Sequence, residues 1–188
     1  MKDIVIYGAG GLAKEVAWLI ENINFQKKTW NILAFLVDEE YTHGNEHLIR
    51  GLPVLSGEDW LYNHPDEVYV VCGIGKSLVR KKTYEKLLTF TQVKLATLID
   101  PSVRIDKSIE IGNGTIICSN CTVTVDTIIG NGVLMNTGSS VGHDSSVGDY
   151  CTLLTNSIVA GHTTLGECCE VGSGAFICLL YTSDAADE

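Results

Sequence analysis

The chain is short of positive charge. Its 188 residues hold 13 Lys and Arg against 23 Asp and Glu, a net charge of −10. No basic cluster stands out from that background, which argues against nucleic acid or an anionic membrane as partner. The run Arg80-Lys81-Lys82 could meet phosphates, but a solvated helix face is the more common explanation for such a run. No apolar stretch approaches the roughly 20 residues of a membrane span. The N-terminus also lacks a basic region followed by a long apolar one, so a cytoplasmic protein is expected. Cysteine is present seven times, but Cys118-Ser119-Asn120-Cys121 has no second pair to complete a metal site. An odd count without an export signal fits reduced thiols, and no metal is expected.

What the chain has instead is a strict period. From Ile105 every sixth residue is aliphatic: Ile105, Ile111, Ile117, Val123, Ile129, Met135, Val141, Val147, Leu153, Val159, Leu165, Val171 and Ile177. Four residues after most of these stands a small side chain, among them Thr115, Cys121, Thr127, Ser139, Ser145, Cys151, Ser157, Thr163, Cys169 and Ala175. A coiled coil repeats at 3.5 and a strand at 2. A period of six is that of a hexapeptide β-helix, in which each short strand sends one large and one small side chain inward. Gly112, Gly130, Gly148 and Gly166 recur every eighteen residues, so the coil has three sides and these glycines stack at one corner. Asn113 and Asn131 beside them suit the left-handed backbone of a tight corner.

The first hundred residues follow a different pattern. Asp3 to Tyr7, Trp30 to Val37, Glu67 to Cys72 and Val93 to Ile99 read as strands, and Leu12 to Ile23 as an amphipathic helix with Leu12, Val16, Leu19, Ile20 and Ile23 on one face. Gly51 to Val54 reads as a short extended piece, Ser56 caps a brief helix, and Ser77 caps another. The alternation makes a small parallel α/β unit of Rossmann type, with Asp100-Pro101-Ser102 as the hinge into the repeats. Gly8-x-Gly10-x-x-Ala13 nearly matches a dinucleotide fingerprint, with Asp38 after the second strand as a candidate ribose acceptor. A hundred residues is short for a two-half dinucleotide domain. One nucleotide fits better than NAD, and a turn without ligand is the third alternative.

The order of these parts carries a resemblance. IYGAGGLAKEVAWLIE, then GIGKSLVRKK, then LIDPS and hexapeptide coils resemble the sugar O-acyltransferases of the sialic-acid O-acetyltransferase (NeuD-like) type, whose close relatives are bacterial UDP-amino-sugar N-acetyltransferases. The resemblance covers residues 1–177. It implies a left-handed β-helix, acetyl-CoA as co-substrate, and a homotrimer with active sites between neighbouring coils. It further implies a sugar nucleotide, UDP-linked in those relatives, at Gly10, Gly11, Asp38, Ile74 and Gly75. In its terms His143 is the catalytic base, with Asp144 as acidic neighbour and Asn136 as another active-site position. The period places Gly161, eighteen residues on, over His143, where the resemblance puts the amide facing the thioester oxyanion. Some members carry a second histidine nine residues after the first, where this chain has Thr152. His162 is adjacent to Gly161 but not equivalent, and is given no role.

These readings divide the chain into a sugar-nucleotide-binding α/β domain over 1–100 and a β-helix acyltransferase domain over 101–177. No aliphatic residue follows Ile177 in phase, and Cys178 to Glu188 (CLLYTSDAADE) reads as the translation of a sequencing adapter. The expectation is therefore a β-helix cut short, with 178–188 not continuing it. The function expected is acetyl transfer from acetyl-CoA to an amino or hydroxyl group of a nucleotide-linked sugar. The competing class is a non-catalytic, trimeric sugar-nucleotide-binding scaffold, and an NAD-linked oxidoreductase is a more distant one.

Overall fold

A computed structural model describes residues 1–42, 48–179 and the backbone of 182–183. It divides into two compact units. One comprises Met1–Ile74 with Lys82–Ala96, and the other Gly75–Lys81 with the chain from Thr97 onward.

The first unit is a three-layered α/β fold. Its strands are β1 (Lys2–Tyr7), β2 (Trp30–Val37), β3 (Leu48–Ile49), β4 (Leu52–Ser56), β5 (Val68–Cys72) and β6 (Val93–Leu95), in the order β3-β4-β2-β1-β5-β6. All pairings are parallel except β3 with β4. Ile4, Val5 and Ile6 of β1 and Val70, Val71 and Cys72 of β5 are wholly buried, as expected for central strands with both faces covered. Helix α1 (Gly11–Gln26) turns Ala13, Val16, Ala17, Leu19 and Ile20 inward. Its buried face is rotated toward Ala13 and away from the expected Leu12 and Ile23. The cause is the turn after β5: a Cβ on Gly73 would stand 2.7 Å from the Ala13 Cα, so helix and turn pack backbone to backbone. Ser56 takes the N-cap position of α2 (Gly57–Tyr62), without a capping hydrogen bond from its side chain.

The second unit is a left-handed parallel β-helix. One face stacks Thr122–Val123, Ser140–Val141, Ile158–Val159 and Phe176–Ile177. The second stacks Glu110–Ile111, Ile128–Ile129, Ser146–Val147, Thr164–Leu165 and Thr182–Ser183. The third stacks Leu98–Ile99, Ile116–Ile117, Leu134–Met135, Thr152–Leu153 and Glu170–Val171. Every register step between these is eighteen residues, such as Val123 with Val141 and Val141 with Val159. The aliphatic positions from Ile117 to Val171 are buried, and so are the small positions from Thr115 to Cys169.

Several further expectations change. The strand read as Val93 to Ile99 is two pieces: Val93–Leu95 completes the α/β sheet, while Leu98–Ile99 pairs with Ile116–Ile117 as the first strand of the coil. Ile99 is itself in phase with the hexads, a signal masked by the Asp100-Pro101 that follows. Ile105 lies outside any strand and is 38% exposed, so the period begins before it and skips one side.

The left-handed corners are elsewhere than expected. Positive φ recurs at Gly114, Asn120, Asp126, Gly132, Gly138, Asp144, Tyr150, Asn156, His162, Cys168 and Gly174, every sixth residue and three after each inward aliphatic. Gly112, Gly130 and Gly148 are small for another reason. A Cβ on Gly112 would meet the Gly130 carbonyl carbon and the Asn131 nitrogen at 2.5 Å, because consecutive coils touch there. Asn131 and Asp149 instead cap the coil before them, their Oδ1 atoms accepting from the Asn113 and Asn131 amides at 2.9 and 2.7 Å.

The segment after Ile177 does continue the coil for one more side. Thr182–Ser183 pairs in parallel with Thr164–Leu165. Backbone pairing needs no particular side chain, and the open edge of Thr164–Leu165 offers unpaired amides and carbonyls to whatever follows. Residues 180, 181 and 184–188 lie outside the described residues.

Arg80 also departs from expectation. It stands on α3 (Ser77–Leu87) and is completely buried rather than solvated. Its Nε donates to Gly132 O at 2.7 Å, Nη1 to Gly75 O at 2.7 Å, and Nη2 to Tyr150 O, Cys151 O and Thr152 Oγ1 at 2.8, 2.9 and 2.8 Å. At the start of the helix, Glu170 accepts the Ser77 amide at 2.8 Å, a bond that holds its carboxyl below the usual range. Lys81 pairs with Glu167 at 2.8 Å. Ser77, Arg80, Thr83, Tyr84 and Leu87 are buried, while Leu78 and Val79 are exposed.

Two stability predictions follow from these burials. Arg80→Met should cost about 3 kcal/mol or more, because several buried carbonyls lose a charged donor together. Arg80→Lys should recover little of that, since an ammonium has three donors and no planar fork. Ser157 is wholly buried and its hydroxyl has no partner among the described residues. Ala175 occupies the equivalent place one coil on, so Ser157→Ala should raise stability by about 1 kcal/mol. Urea denaturation of each variant checks both signs; a destabilised Ser157→Ala would mean that the cavity outweighs the unmet hydrogen bond.

Candidate functional site

The histidine site is built from the eighteen-residue register. His143 follows Ser140–Val141 and precedes the left-handed corner residue Asp144 (φ 55°). One coil on, the same two places hold Gly161 and His162 (φ 53°). The His162 amide donates to His143 O at 2.9 Å, locking the two corners together. Asp144 Oδ2 lies 2.7 Å from His143 Nδ1 and 3.7 Å from His162 Nε2, and the two imidazoles meet edge to face at 5.1 Å. All three side chains are half-exposed.

With Asp144 accepting from Nδ1–H, the Nε2 of His143 carries the lone pair. That nitrogen lies over Gly161: a Cβ there would come within 2.9 Å of Nε2 and 3.1 Å of His143 O. The backbones are equally close, since a Cβ on Gly142 would stand 2.4 Å from the Gly161 nitrogen. Among the described residues no protein acceptor takes the Gly161 amide hydrogen. A basic nitrogen and an uncommitted amide donor therefore share one edge of the coil, the pairing that general-base acyl transfer requires.

Asn136 does not join them. It sits at the corner between Leu134–Met135 and Ser140–Val141, one corner before His143. Its Oδ1 accepts the Thr137 amide at 2.8 Å. Thr152 is buried and structural, with its hydroxyl donating to Gly75 O at 3.0 Å and accepting from Arg80. Gly75 thus groups with the coil, whereas Gly10, Gly11, Asp38 and Ile74 group with the α/β unit.

In that unit the turn after β1 takes the form expected of an anion-binding loop. Gly8 has φ 117°, reached only by glycine without strain, and its amide donates to Leu36 O at 2.7 Å. Gly10 is the N-cap of α1, and a Cβ on Gly10 or Gly11 would meet no atom within 4 Å. No acidic residue occupies the first turn of α1, so its amides and dipole are open to a negative ligand.

Asp38 has partners that the sequence reading missed. Its Oδ1 accepts from Tyr7 Oη at 2.6 Å and from Lys86 Nζ at 2.7 Å, and Lys86 also pairs with Glu58 at 2.6 Å. Burial opposes ionisation of Asp38, but the bonds from Lys86 and Tyr7 outweigh it and hold the carboxyl below its usual range. Burial, then Asp38 itself, push the Tyr7 phenol up. One carboxylate oxygen is thus committed inside the protein, a weaker ribose acceptor than the bare pattern implied. Nothing local in the sequence marks Lys86, which stands 48 residues from Asp38. The signal for His162 was present, since 144 and 162 differ by one coil.

The cysteines are packing groups. No disulfide forms among the described residues, and all the thiols except that of Cys178 are buried. Burial pushes the Cys151 thiol up to about 12 and raises Cys121 and Cys168 as well. A thiolate nucleophile is therefore unfavourable at these positions.

Comparisons with known proteins agree with this architecture. Residues 3–87 match the PglD N-terminal domain family. Among solved structures, the acetyltransferase domain of PglB from Neisseria gonorrhoeae FA1090, in complex with acetyl coenzyme A, superposes with a TM-score of 0.85 at 24% identity, covering 98% of this chain and 86% of that one. WeeI from Acinetobacter baumannii AYE gives 0.70 at 26% identity, over 94% of this chain and 88% of its own. PerB from Caulobacter crescentus, in complex with CoA and GDP-perosamine, gives 0.72 at 22% identity, over 97% and 92%. No curated protein sequence matches the chain. Among the described residues no helix is long and apolar enough to cross a membrane.

A thiol reagent at pH 7.5 should label one cysteine per native chain, Cys178, and all seven only after unfolding. Mass spectrometry of the labelled peptides reads this directly, and rapid native modification of Cys151 would contradict its burial.

Proposed function

We propose that this chain is an acetyl-CoA-dependent acetyltransferase acting on an amino or hydroxyl group of a nucleotide-linked sugar. The observation that carries the reading is the His143–Asp144 pair seated over the bare amide of Gly161. Support for the substrates comes from the solved structures of the same fold, one holding acetyl coenzyme A and another CoA with GDP-perosamine. The glycine turn at Gly10 and Gly11 is the phosphate-binding element, with Asp38 and Ile74 beside the ends of β2 and β5 and Gly75 after them. UDP- and GDP-linked amino sugars are both candidates. The same fold and the resemblance support a homotrimer, in which Asn136 takes part in the site.

The chemistry is direct transfer. His143 Nε2 removes the proton from the acceptor nitrogen or oxygen as that atom attacks the thioester carbonyl carbon. Asp144 holds the imidazole by Nδ1–H and stabilises the imidazolium that forms. Charge that develops on the carbonyl oxygen is met by the Gly161 amide. The tetrahedral intermediate collapses with cleavage of the C–S bond, and the departing sulfur takes the proton from His143. No covalent acyl-enzyme is needed, in keeping with the raised thiols. Residues 178–188 take no part in the proposal.

The test is acetyl-CoA turnover against a panel of UDP- and GDP-amino sugars. His143→Ala should lower kcat by roughly 10²–10⁴ with KM for the sugar nucleotide little changed. Gly161→Ala should lower kcat by roughly 10² or more, because the new methyl group displaces the imidazole and crowds the oxyanion site. A His143→Ala variant with normal turnover would remove the histidine from the mechanism. Binding of sugar nucleotide without any turnover by the wild-type protein would favour the scaffold reading.

A further inference from the structure

His162 has no role in the transfer as written, yet it shares a carboxylate with His143. The two coils bring His143, Asp144 and His162 together so that one ligand atom from each lies within 4.8 Å of the others. Tetrahedral coordination with bonds of roughly 2.0 Å separates its donors by about 3.3 Å. The distance from His162 Nε2 to Asp144 Oδ2 is 3.7 Å, close to that value already, while the 2.7 Å from Asp144 Oδ2 to His143 Nδ1 has to open. The corners that carry the donors are held by the bond from the His162 amide to His143 O and by their left-handed backbones. The side chains are half-exposed, so an ion reaches them from solvent without unfolding the coil. Two imidazoles and one carboxylate suit zinc or nickel rather than magnesium or calcium, which prefer sets of oxygen ligands.

We infer that His143, Asp144 and His162 form a surface site for a borderline divalent cation, zinc above all, and that the ion switches the proposed transfer off. This deepens the acyltransferase reading and, for the inhibition, rests on it. Coordination through His143 Nδ1 displaces the hydrogen bond to Asp144. A neutral imidazole bound at Nδ1 carries its proton on Nε2, so the lone pair that takes the acceptor's proton is lost. The ion also draws the Asp144 carboxylate away from the ring it orients. One protein ligand set of three leaves a fourth position for water. Register alone creates the site: Asp144 and His162 occupy the same corner one turn apart, and either residue at any other corner would leave the set incomplete.

Calorimetric titration of the intact chain with zinc chloride, in a buffer that does not chelate it, tests the binding without reference to catalysis. One ion per chain is expected, with His162→Ala and Asp144→Asn each weakening the affinity at least tenfold and His64→Ala, which removes a histidine of the other unit, leaving it unchanged. Cobalt(II) in place of zinc should give the visible absorption of a four-coordinate centre in the wild type and lose it in His162→Ala. Equal zinc affinity in wild type and His162→Ala, or no binding at millimolar zinc, would overturn the site. Where the wild type turns over acetyl-CoA, zinc should inhibit it at the concentrations that fill the site, EDTA should restore it, and His162→Ala should resist. Inhibition that persists undiminished in His162→Ala would overturn the switch.

Discussion

Residue n lies against residue n + 18, and almost everything else in the coil depends on that constraint. It follows from three sides per turn of six residues each, two of them in the ladder and one left-handed at the corner. The backbone pairs in parallel along all three faces, so the ladders satisfy the amides and carbonyls of the strands without reference to sequence. Side chains then choose between inside and outside. The interior takes one large aliphatic and one small residue per side, because three inward walls leave no room for two large ones. Small polar residues are admitted mostly with a carbonyl to bond, as Thr115 has at Gly130 and Ser145 at Ala160, Ser157 being the exception among the described residues.

The same constraint makes a site from residues that are distant in sequence. His143 and Asp144 are adjacent, but their surroundings come from residues 160 to 162. The close approach of Gly142 to Gly161 is a stacking requirement of the coil before it is a catalytic one. A larger residue at 161 would push the next coil away, and the same absence of a side chain leaves an uncommitted amide beside an imidazole. Packing and chemistry thus ask for the same residue. This is also why a one-residue insertion between 144 and 160 would be more damaging than most substitutions: it would turn the inward set outward and separate His143 from Gly161 together.

The period was legible because it is rigid. The in-phase aliphatics marked the fold class, and the eighteen-residue glycine repeat marked the three sides and the stacking of His143 over Gly161. What the period hid was the identity of the corner residues. The recurring glycines drew attention to 112, 130 and 148, where contact between coils forbids a Cβ. The true left-handed positions are Gly, Asn or Asp at eight of eleven places, but Tyr150, His162 and Cys168 interrupt that six-residue mark. In the α/β unit the strands and the glycine turn could be read, whereas the partners of Asp38 could not. Tyr7 and Lys86 reach it from a strand and a helix, and no spacing rule links three residues set by tertiary packing alone. Arg80 was misread for a related reason. Its neighbours Lys81 and Lys82 made a basic run, although the helical spacing of Ser77, Arg80, Thr83, Tyr84 and Leu87 already placed it on the inner face.

Burying that arginine is a consequence of the corners. Along the faces the carbonyls accept from amides of neighbouring coils, but at a corner the chain turns away from the ladder. Gly132 and Tyr150 are the same corner on successive coils, and the Arg80 guanidinium accounts for carbonyls of both. A fork of five donors with fixed geometry can span two coils at once, which no neutral side chain and no ammonium can do. Desolvating a charge is expensive, and here oriented carbonyl dipoles offset that cost. The arginine therefore belongs to the β-helix in the same sense as its aliphatic interior does. It closes hydrogen bonds that the three-sided geometry leaves open, at the edge where Glu170 holds the first amide of α3.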